Sequence, residues 1–490
     1  MADVLLTHSY HLFYDRKQTR KMQPYPPLGT LYAAATLRSV GISVAVFDTM
    51  LNDPEKEFEA ALARHRPALV VVYEDNFNFL SKMCLSRMRE VAFQILAASQ
   101  KAGATVVING SDASDHIEDY LRNGFRCVLL GEAEFTLLET AEQLLKNRKA
   151  ALGGIAGLAY LSPATGEVVR TTRRSQLRHL DALPFPARDL IDTGQYREAW
   201  KSAHGYFSLN LVASRGCPYR CNWCAKPIYG DTFSARSPRS VAEEMRQLKH
   251  EHNAEHLWFA DDIFGLQARW VQEFADAVAT LDAAVPFKMQ SRVDLMTPAT
   301  TVALRRSGCA EVWMGVESGS QKILNAMEKG IRVEQVAKAR ENLRKEGIRA
   351  CYFLQFGYPD ETWEDIKNTV DLVRDTRPDD IGISVAYPLP GTKFFKQVQA
   401  QLGTKTNWSD SEDLSMMFQG TYTGEFYRAL HDALHAEVDS WNGRASGNRW
   451  RELWDRVVQL EQTSHTANPT KLEGFRPGGL VQLELQSEYN

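Results

Sequence analysis

Residues 206–230 read "YFSLNLVASRGCPYRCNWCAKPIYG". The stretch 206–214 is an apolar strand candidate, and Cys217, Cys221 and Cys224 follow it within eight positions. A structural zinc site takes four ligands, usually two Cys-x2-Cys knuckles, and here the second knuckle is missing. The chain has seven cysteines, an odd number, and only these three are clustered. That usage fits a reducing cytoplasm better than a disulfide scaffold. Three thiolates in one tight loop point to an iron–sulfur cluster with one iron left without a protein ligand. The alternative is a zinc loop completed by a distant His or Cys.

Outward from this loop, residues 206–400 alternate strands with helices. Strand candidates are 206–214, 255–260, 287–291, 311–316, 349–356 and 380–387, separated by helical stretches near 238–251, 267–282, 298–307, 319–327, 333–346 and 361–375. Six such units are too few for an eight-fold barrel and suit an open, partial one. The cysteine loop then lies at the carboxyl end of the first strand, where barrels carry their chemistry.

Residues 1–147 show a second alternation. "DVLLT" (3–7), "SVAVF" (43–47), "ALVVVY" (68–73), "ATVVIN" (104–109) and "RCVLLG" (126–131) read as buried parallel strands. Helical stretches lie near 28–40, 54–65, 79–102, 112–123 and 133–147. This predicts a doubly wound, flavodoxin-like α/β domain whose ligand edge is formed by the loops after the strands. Residues 148–205 read as a linker containing a small hairpin. Residues 401–490 read as amphipathic helices followed by a loose tail after Ser464. The net charge of −4 gives no reason to expect nucleic acid as partner, and no segment reads as a signal peptide or a membrane span.

Cys-x3-Cys-x2-Cys with an aromatic residue, Trp223, before the last cysteine resembles the signature of radical S-adenosylmethionine (SAM) enzymes. The chain is similar to the branch with an N-terminal cobalamin-binding domain. "PYPPLGTLYAAATLRSVG" (24–41), "GEAEFTLLETAEQL" (131–144), "FADDIFG" (259–265), "GVESGSQKILNAMEKG" (315–330), "FGYPDET" (356–362) and "YPLPGT" (387–392) carry the resemblance in order and spacing. It implies a [4Fe-4S] cluster on Cys217, Cys221 and Cys224, SAM on the open iron, and reductive cleavage to a 5′-deoxyadenosyl radical. It also implies an external electron donor such as flavodoxin or ferredoxin and a small-molecule substrate.

For SAM the resemblance points to Trp223, to Asp261 or Asp262, to Arg292 for the carboxylate, to Glu317 and Ser318 for the ribose, and to Gln355 and Tyr387. The bland reading of the two aspartates is helix capping. For cobalamin it points to Leu28, Gly29, Gly110, Ser111, Ser114, Gly131 and Glu132. The Asp-x-His-x-x-Gly loop that ligates cobalt in many corrinoid proteins is absent, and His8 and His11 stand at the wrong spacing. "NGSDAS" stands where relatives have Gly-Gly-Pro-His. The expected activity is cobalamin-dependent methylation of an unactivated carbon. The alternatives are an oxidative cyclase of the anaerobic magnesium-protoporphyrin monomethyl ester type, and a non-enzymatic metal-binding scaffold.

Overall fold

The computed structural model describes residues 2–464 except 84, 404–407, 409–413, 415 and 445–446, so the tail after Ser464 lies outside the described residues. The first sheet has seven strands: β1 (Val4–Thr7), β2 (Val44–Phe47), β3 (Leu69–Tyr73), β4 (Thr105–Asn109), β5 (Val128–Leu129), β6 (Leu158–Leu161) and β7 (Val168–Arg170). Their spatial order is β2-β1-β3-β4-β5-β6-β7, with the first five parallel. β1 and β3 are buried along their whole length, as strands covered by helices on both faces must be. The order 2-1-3-4-5 puts the crevice between the loops after β1 and β3.

The hairpin expected inside the connecting segment is β6–β7. It pairs antiparallel onto β5, Val128 opposite Ala159. β5 has only two residues and would otherwise be an open edge; the hairpin covers it.

The second sheet begins with β8 (Ser208–Leu211). A short antiparallel ribbon follows, β9 (Ser214–Arg215) with β10 (Ser234–Ala235), and brackets the cysteine loop. Then come β11 (His256–Phe259), β12 (Phe287–Ser291), β13 (Cys309–Glu317), β14 (Arg349–Phe356) and β15 (Asp380–Val385). β8 and β11–β15 stand in sequential order and are all parallel, a six-stranded partial barrel. Alternate residues face the helices: Phe274, on the helix Ala268–Thr280, meets the rings of Phe259 and Phe287. The intervening residues, Trp258, Lys288, Gln290, Trp313 and Phe353 among them, face the lumen and are half-buried.

The loop after β1 runs along the open edge of this barrel. The Tyr25 and Ser208 hydroxyls lie 3.1 Å apart, and Asn210 Nδ2 donates to Pro26 O at 2.8 Å. The C-terminal helices Gly424–Trp441 and Arg449–Thr463 pack on each other and on the β15 side. Among the described residues no helix is long and apolar enough to cross a membrane.

Candidate active site

The cysteine loop leaves the barrel at Gly216, whose φ is +76° and where a Cβ would stand 2.3 Å from Thr232 O. Only glycine fits that turn. Lys226 Nζ donates to the carbonyls of Cys217, at 3.0 Å, and Tyr219. Asn222 fastens the far side: its N–H reaches Met327 O at 3.0 Å and its Nδ2 reaches Ala326 O at 2.6 Å. The thiols of Cys217, Cys221 and Cys224 are half-buried. Among the described residues no three His, Cys, Asp or Glu gather tightly enough for a single ion. The donor set, three thiols along one loop, fits a multi-iron group with one thiolate per iron.

Arg292 follows β12 and is buried. Its guanidinium lies 3.7 Å over the Tyr219 ring, pairs with Asp294 at 2.9 Å and donates to Lys329 O at 3.0 Å. It therefore braces the cysteine loop from below. Glu317, at the end of β13, has φ +63°, a left-handed conformation that costs a non-glycine residue of order 1–3 kcal/mol. Its carboxylate forms a buried ion pair of 2.7 Å with Lys329. A Cβ on Gly315 would stand 2.6 Å from Lys329 Nζ, so that glycine makes room for the pair. Burial works against the Lys329 charge, but Glu317 and Cys221 outweigh it and raise its pKa.

The two aspartates after β11 divide. Asp261 is buried, accepts from Ala213 N at 3.0 Å and Ser214 Oγ at 2.5 Å, and burial pushes it up to about 7. It holds the turn between β8 and β9. Asp262 is the one whose charge acts on Cys217. Neither caps the next helix, which starts at Ala268 after Gln267. The Ser318 hydroxyl, expected at the ribose, lies 3.1 Å from that of Thr369 and accepts from Ser320 N. Gln355 Oε1 and Trp223 Nε1 are buried with no hydrogen-bond partner among the described residues, as polar atoms kept for a ligand would be. Tyr387 packs edge-on against Trp408 at 4.7 Å.

At the edge of the first sheet, two of the glycines expected to approach a corrin pack closely on Glu74. A Cβ on Gly29 would stand 2.9 Å from Glu74 O, and one on Gly110 would stand 2.7 Å from Glu74 Cγ. Leu28 is buried between the domains with Tyr32, Phe77, Val212 and Ile228. Ser114 Oγ donates to Gly110 O at 2.8 Å. Both histidines are engaged: His8 Nε2 lies 2.9 Å from Asp48, and His11 Nδ1 lies 2.8 Å from Thr49 O. Ser111 Oγ and Asn76 Oδ1 are buried without partners among the described residues, and they are the polar atoms at this edge that fit a ligand's amides.

Gly131, at φ +68°, turns the chain so that Glu132 and Glu134 reach across to the barrel. They hold Arg215 at 2.5 and 2.8 Å, with all three side chains under 10% exposed. Tyr32, Phe77 and Tyr229 surround the same guanidinium at 5.2–5.6 Å. Arg215 stands two residues before Cys217. Glu132 is thus an interdomain ion-pair partner in this structure. Arg215, Glu134 and Lys329 were not singled out by the sequence reading. The signal for Lys329, a lone lysine closing "NAMEKG", had no visible partner until the fold brought Glu317 beside it.

Residues 211–373 match the model of the Radical SAM superfamily. The chain is 29% identical over 78% of its length to an uncharacterised methyltransferase of Pyrococcus horikoshii, covering 81% of that protein. It is 25% identical over 77% of its length to the hopanoid C-3 methylase of Methylococcus capsulatus, covering 70%. It is 23% identical over 79% to the anaerobic magnesium-protoporphyrin IX monomethyl ester cyclase of Rubrivivax gelatinosus, covering 68%. Among solved structures, the cobalamin-dependent radical enzyme OxsB superposes with a TM-score of 0.69 at 17% identity, over 94% of this chain and 71% of that one. The methyltransferase TsrM of Kitasatospora setae gives 0.65 at 18% identity, over 82% and 75%. Residues 211–373 therefore form a radical SAM domain. The flavodoxin-like domain followed by a partial barrel is the fold this chain shares with OxsB and TsrM.

Proposed function

We propose that this protein is a cobalamin-dependent radical SAM C-methyltransferase acting on a small-molecule intermediate. The observation that carries the reading is the Arg215 junction. It ties the loop bearing Cys217, Cys221 and Cys224 to the ligand edge of the first domain, so the edges suited to the cluster and to cobalamin meet at one place. When bound, the cluster, SAM and cobalamin supply one-electron cleavage of SAM and a transferable methyl group. The chain's own part is to hold and shield them. Cys217, Cys221 and Cys224 anchor the cluster. Arg292, Glu317 with Lys329, Asp262, Trp223, Gln355 and Tyr387 form the SAM pocket. Residues 1–147 are the cobalamin domain, with Ser111, Asn76 and Gly131 at its ligand edge; 148–205 join it to the barrel of 206–400, and the C-terminal region, 401–490, contributes the helices Gly424–Trp441 and Arg449–Thr463 on the β15 side. The protein works in the reducing cytoplasm, with flavodoxin or ferredoxin as electron donor.

Anaerobic reconstitution tests this. The protein should take up about four irons and four sulfides per chain. It should retain cobalamin through gel filtration and pass label from methyl-labelled SAM to bound cobalamin. Cys217→Ala should lose the iron. Folding with zinc and no iron would overturn the cluster assignment, and failure to retain cobalamin would overturn methyl transfer by this route. Ring closure without methyl uptake would instead favour the cyclase chemistry named for the Rubrivivax relative.

A further inference from the structure

The lumen of the barrel holds a cation in an unusual setting. Lys288, on β12, faces inward and is half-buried. Its Nζ lies 5.5 Å from the centre of the Tyr25 ring and 5.9 Å from that of Trp258, and its nearest polar contact is Gln23 Oε1 at 3.3 Å. No carboxylate among the described residues stands within ion-pair distance of it. Glu311, its register partner on β13, is already engaged by Arg349 at 2.7 Å and by the Trp313 indole N–H at 2.7 Å. Enclosure lowers the pKa of Lys288, and it lowers that of neighbouring His256 to about 3, so His256 stands neutral. One unmatched ammonium in an aromatic enclosure is costly unless an anion joins it.

The lumen around and above Lys288 is flat-walled. Trp258, its register partner on β11, stands level with it and packs against Tyr25 at 4.7 Å. Across the sheet, Trp313 and Phe353 stack at 4.9 Å with 30° between their planes. Gly382 lies opposite Phe353, and a Cβ there would stand 3.3 Å from both rings, so glycine lets the pair pack close over β15 where a side chain would push it into the lumen. Higher still, Gln355 presents an amide oxygen without a partner among the described residues, next to Ser384. From Lys288 to Arg292 at the mouth is four residues of strand, about 13 Å.

We propose that this lumen is the substrate site, and that it takes an elongated, flat, unsaturated molecule bearing one carboxylate at the end away from the reacting carbon. Lys288 pairs with the carboxylate, the Trp258 and Trp313–Phe353 walls hold the planar body, and Gln355 takes a polar group near the mouth. At least one anionic group follows from charge counting: Lys288 has no ion-pair partner among the described residues, the like charge of Lys21 acts on it as well, and Arg349 is neutralised by Glu311. This substrate class rests on the radical methyltransferase reading, but its test does not depend on turnover.

The probe pair is biphenyl-4-carboxylate and its neutral isostere biphenyl-4-methanol, measured by equilibrium dialysis against the anaerobically reconstituted full-length protein. The acid should bind saturably, one per chain, and more tightly than the alcohol. Lys288→Met should weaken the acid about tenfold or more and leave the alcohol unchanged, because a desolvated charge partner is lost. Lys288→Arg should keep acid binding within a few-fold. Gly382→Val should weaken both probes by displacing the Trp313 and Phe353 rings, with Lys288 intact. Equal binding of acid and alcohol, acid binding untouched by Lys288→Met, or no binding of either probe would each overturn the proposal. Iron, cobalamin and SAM cleavage are measured on the same preparations. Lys288-dependent binding in a protein that fails those assays would sink the methyltransferase reading and keep the lumen site.

Discussion

The two parallel sheets end at one junction, but they use their strand-end side chains differently. At the barrel mouth the charged groups pair around the cysteine loop: Arg292 with Asp294, and Glu317 with Lys329. At the edge of the first sheet most polar groups close on their own domain or on the connecting helix, as His8, Asp48 and Tyr196 do. The loop after β1 touches the barrel through neutral groups such as Tyr25, but the turn at 131–134 sends two carboxylates across to Arg215. The barrel therefore does not hold the root of its cysteine loop alone. The first domain contributes the acids that fix it, which makes that domain part of the loop's geometry whatever it binds.

The sharpest way to break this contrast is Arg215→Met. It would leave Glu132 and Glu134 buried without their partner, and removing one member of a buried ion pair costs about 3–5 kcal/mol. Urea denaturation should show a loss of that size, and reconstituted iron per chain should fall. A variant of unchanged stability that holds full iron would show that the loop needs nothing from the first domain.

The barrel side is probed by Arg292→Ala and Glu317→Ala. Each removes a charged group worth about 1.5–3 kcal/mol to a bound partner. SAM affinity should fall roughly tenfold or more, each 1.4 kcal/mol being a factor of ten. Arg292→Ala should cost less stability and less iron than Arg215→Met, whereas Glu317→Ala leaves Lys329 buried without its partner and should cost a comparable amount, about 3–5 kcal/mol; SAM affinity is read per iron-loaded chain. If SAM binds both variants as it binds the parent, the pocket lies elsewhere on the mouth.

Much of this contrast was hidden in the sequence, for a physical reason. Most strands were legible to within a residue or two: 287–291 and 349–356 stand as read, because buried parallel strands are short apolar runs between turns, whereas the run 206–214 breaks after Leu211 and resumes at Ser214 in the ribbon. Some helices were not. Arg16–Lys21 has no buried residue and hence no apolar stripe to read. Thr193–His204 buries only Tyr196 and Trp200 and lay in the stretch read as linker. The stretch 79–102 is divided into Phe79–Lys82 and Ser86–Lys101. The cysteine trio was legible because its ligands are local. Arg215 with Glu132, and Glu317 with Lys329, were not. The first pair is 83 residues apart, and in the second the partner is chosen by a left-handed turn that no periodicity announces.

A milder probe is pH. Glu361 is fully buried in the "FGYPDET" turn, where Gly357 N donates to its Oε2 at 2.6 Å and its Oε1 has no partner among the described residues. Burial pushes its pKa up to about 8. An unfolded glutamate titrates near 4.3. Between those values the native state keeps a proton that the unfolded chain has released, so stability falls as pH rises toward about 8 and levels off above. Asp261, pushed up to about 7, acts in the same direction. Glu361→Gln mimics the protonated acid and should flatten part of the decline in urea midpoint between pH 6 and 8. An unchanged slope would place the proton elsewhere.

The smallest expected effect lies on the first sheet and concerns cobalt. His8 and His11 occupy the loop after β1, where corrinoid proteins of another type keep a ligand histidine. Here His8 is held by Asp48 and Thr49, and Asp48 is held in turn by Tyr196, at 2.5 Å, and by Met50 N. His11 points to Thr49 O and lies edge-on to Tyr14. To reach cobalt, either ring would have to abandon buried hydrogen bonds, which costs about 1–3 kcal/mol for each group left unsatisfied. His8→Ala and His11→Ala should therefore bind cobalamin with the parent's absorption and electron paramagnetic resonance spectra, compared per cobalamin retained. His8→Ala should lose some stability with its Asp48 contact; His11→Ala should lose less. A nitrogen hyperfine pattern in the parent that vanishes in either variant would show that the loop after β1 opens toward cobalt, and that this sheet's edge is not the closed one the structure holds.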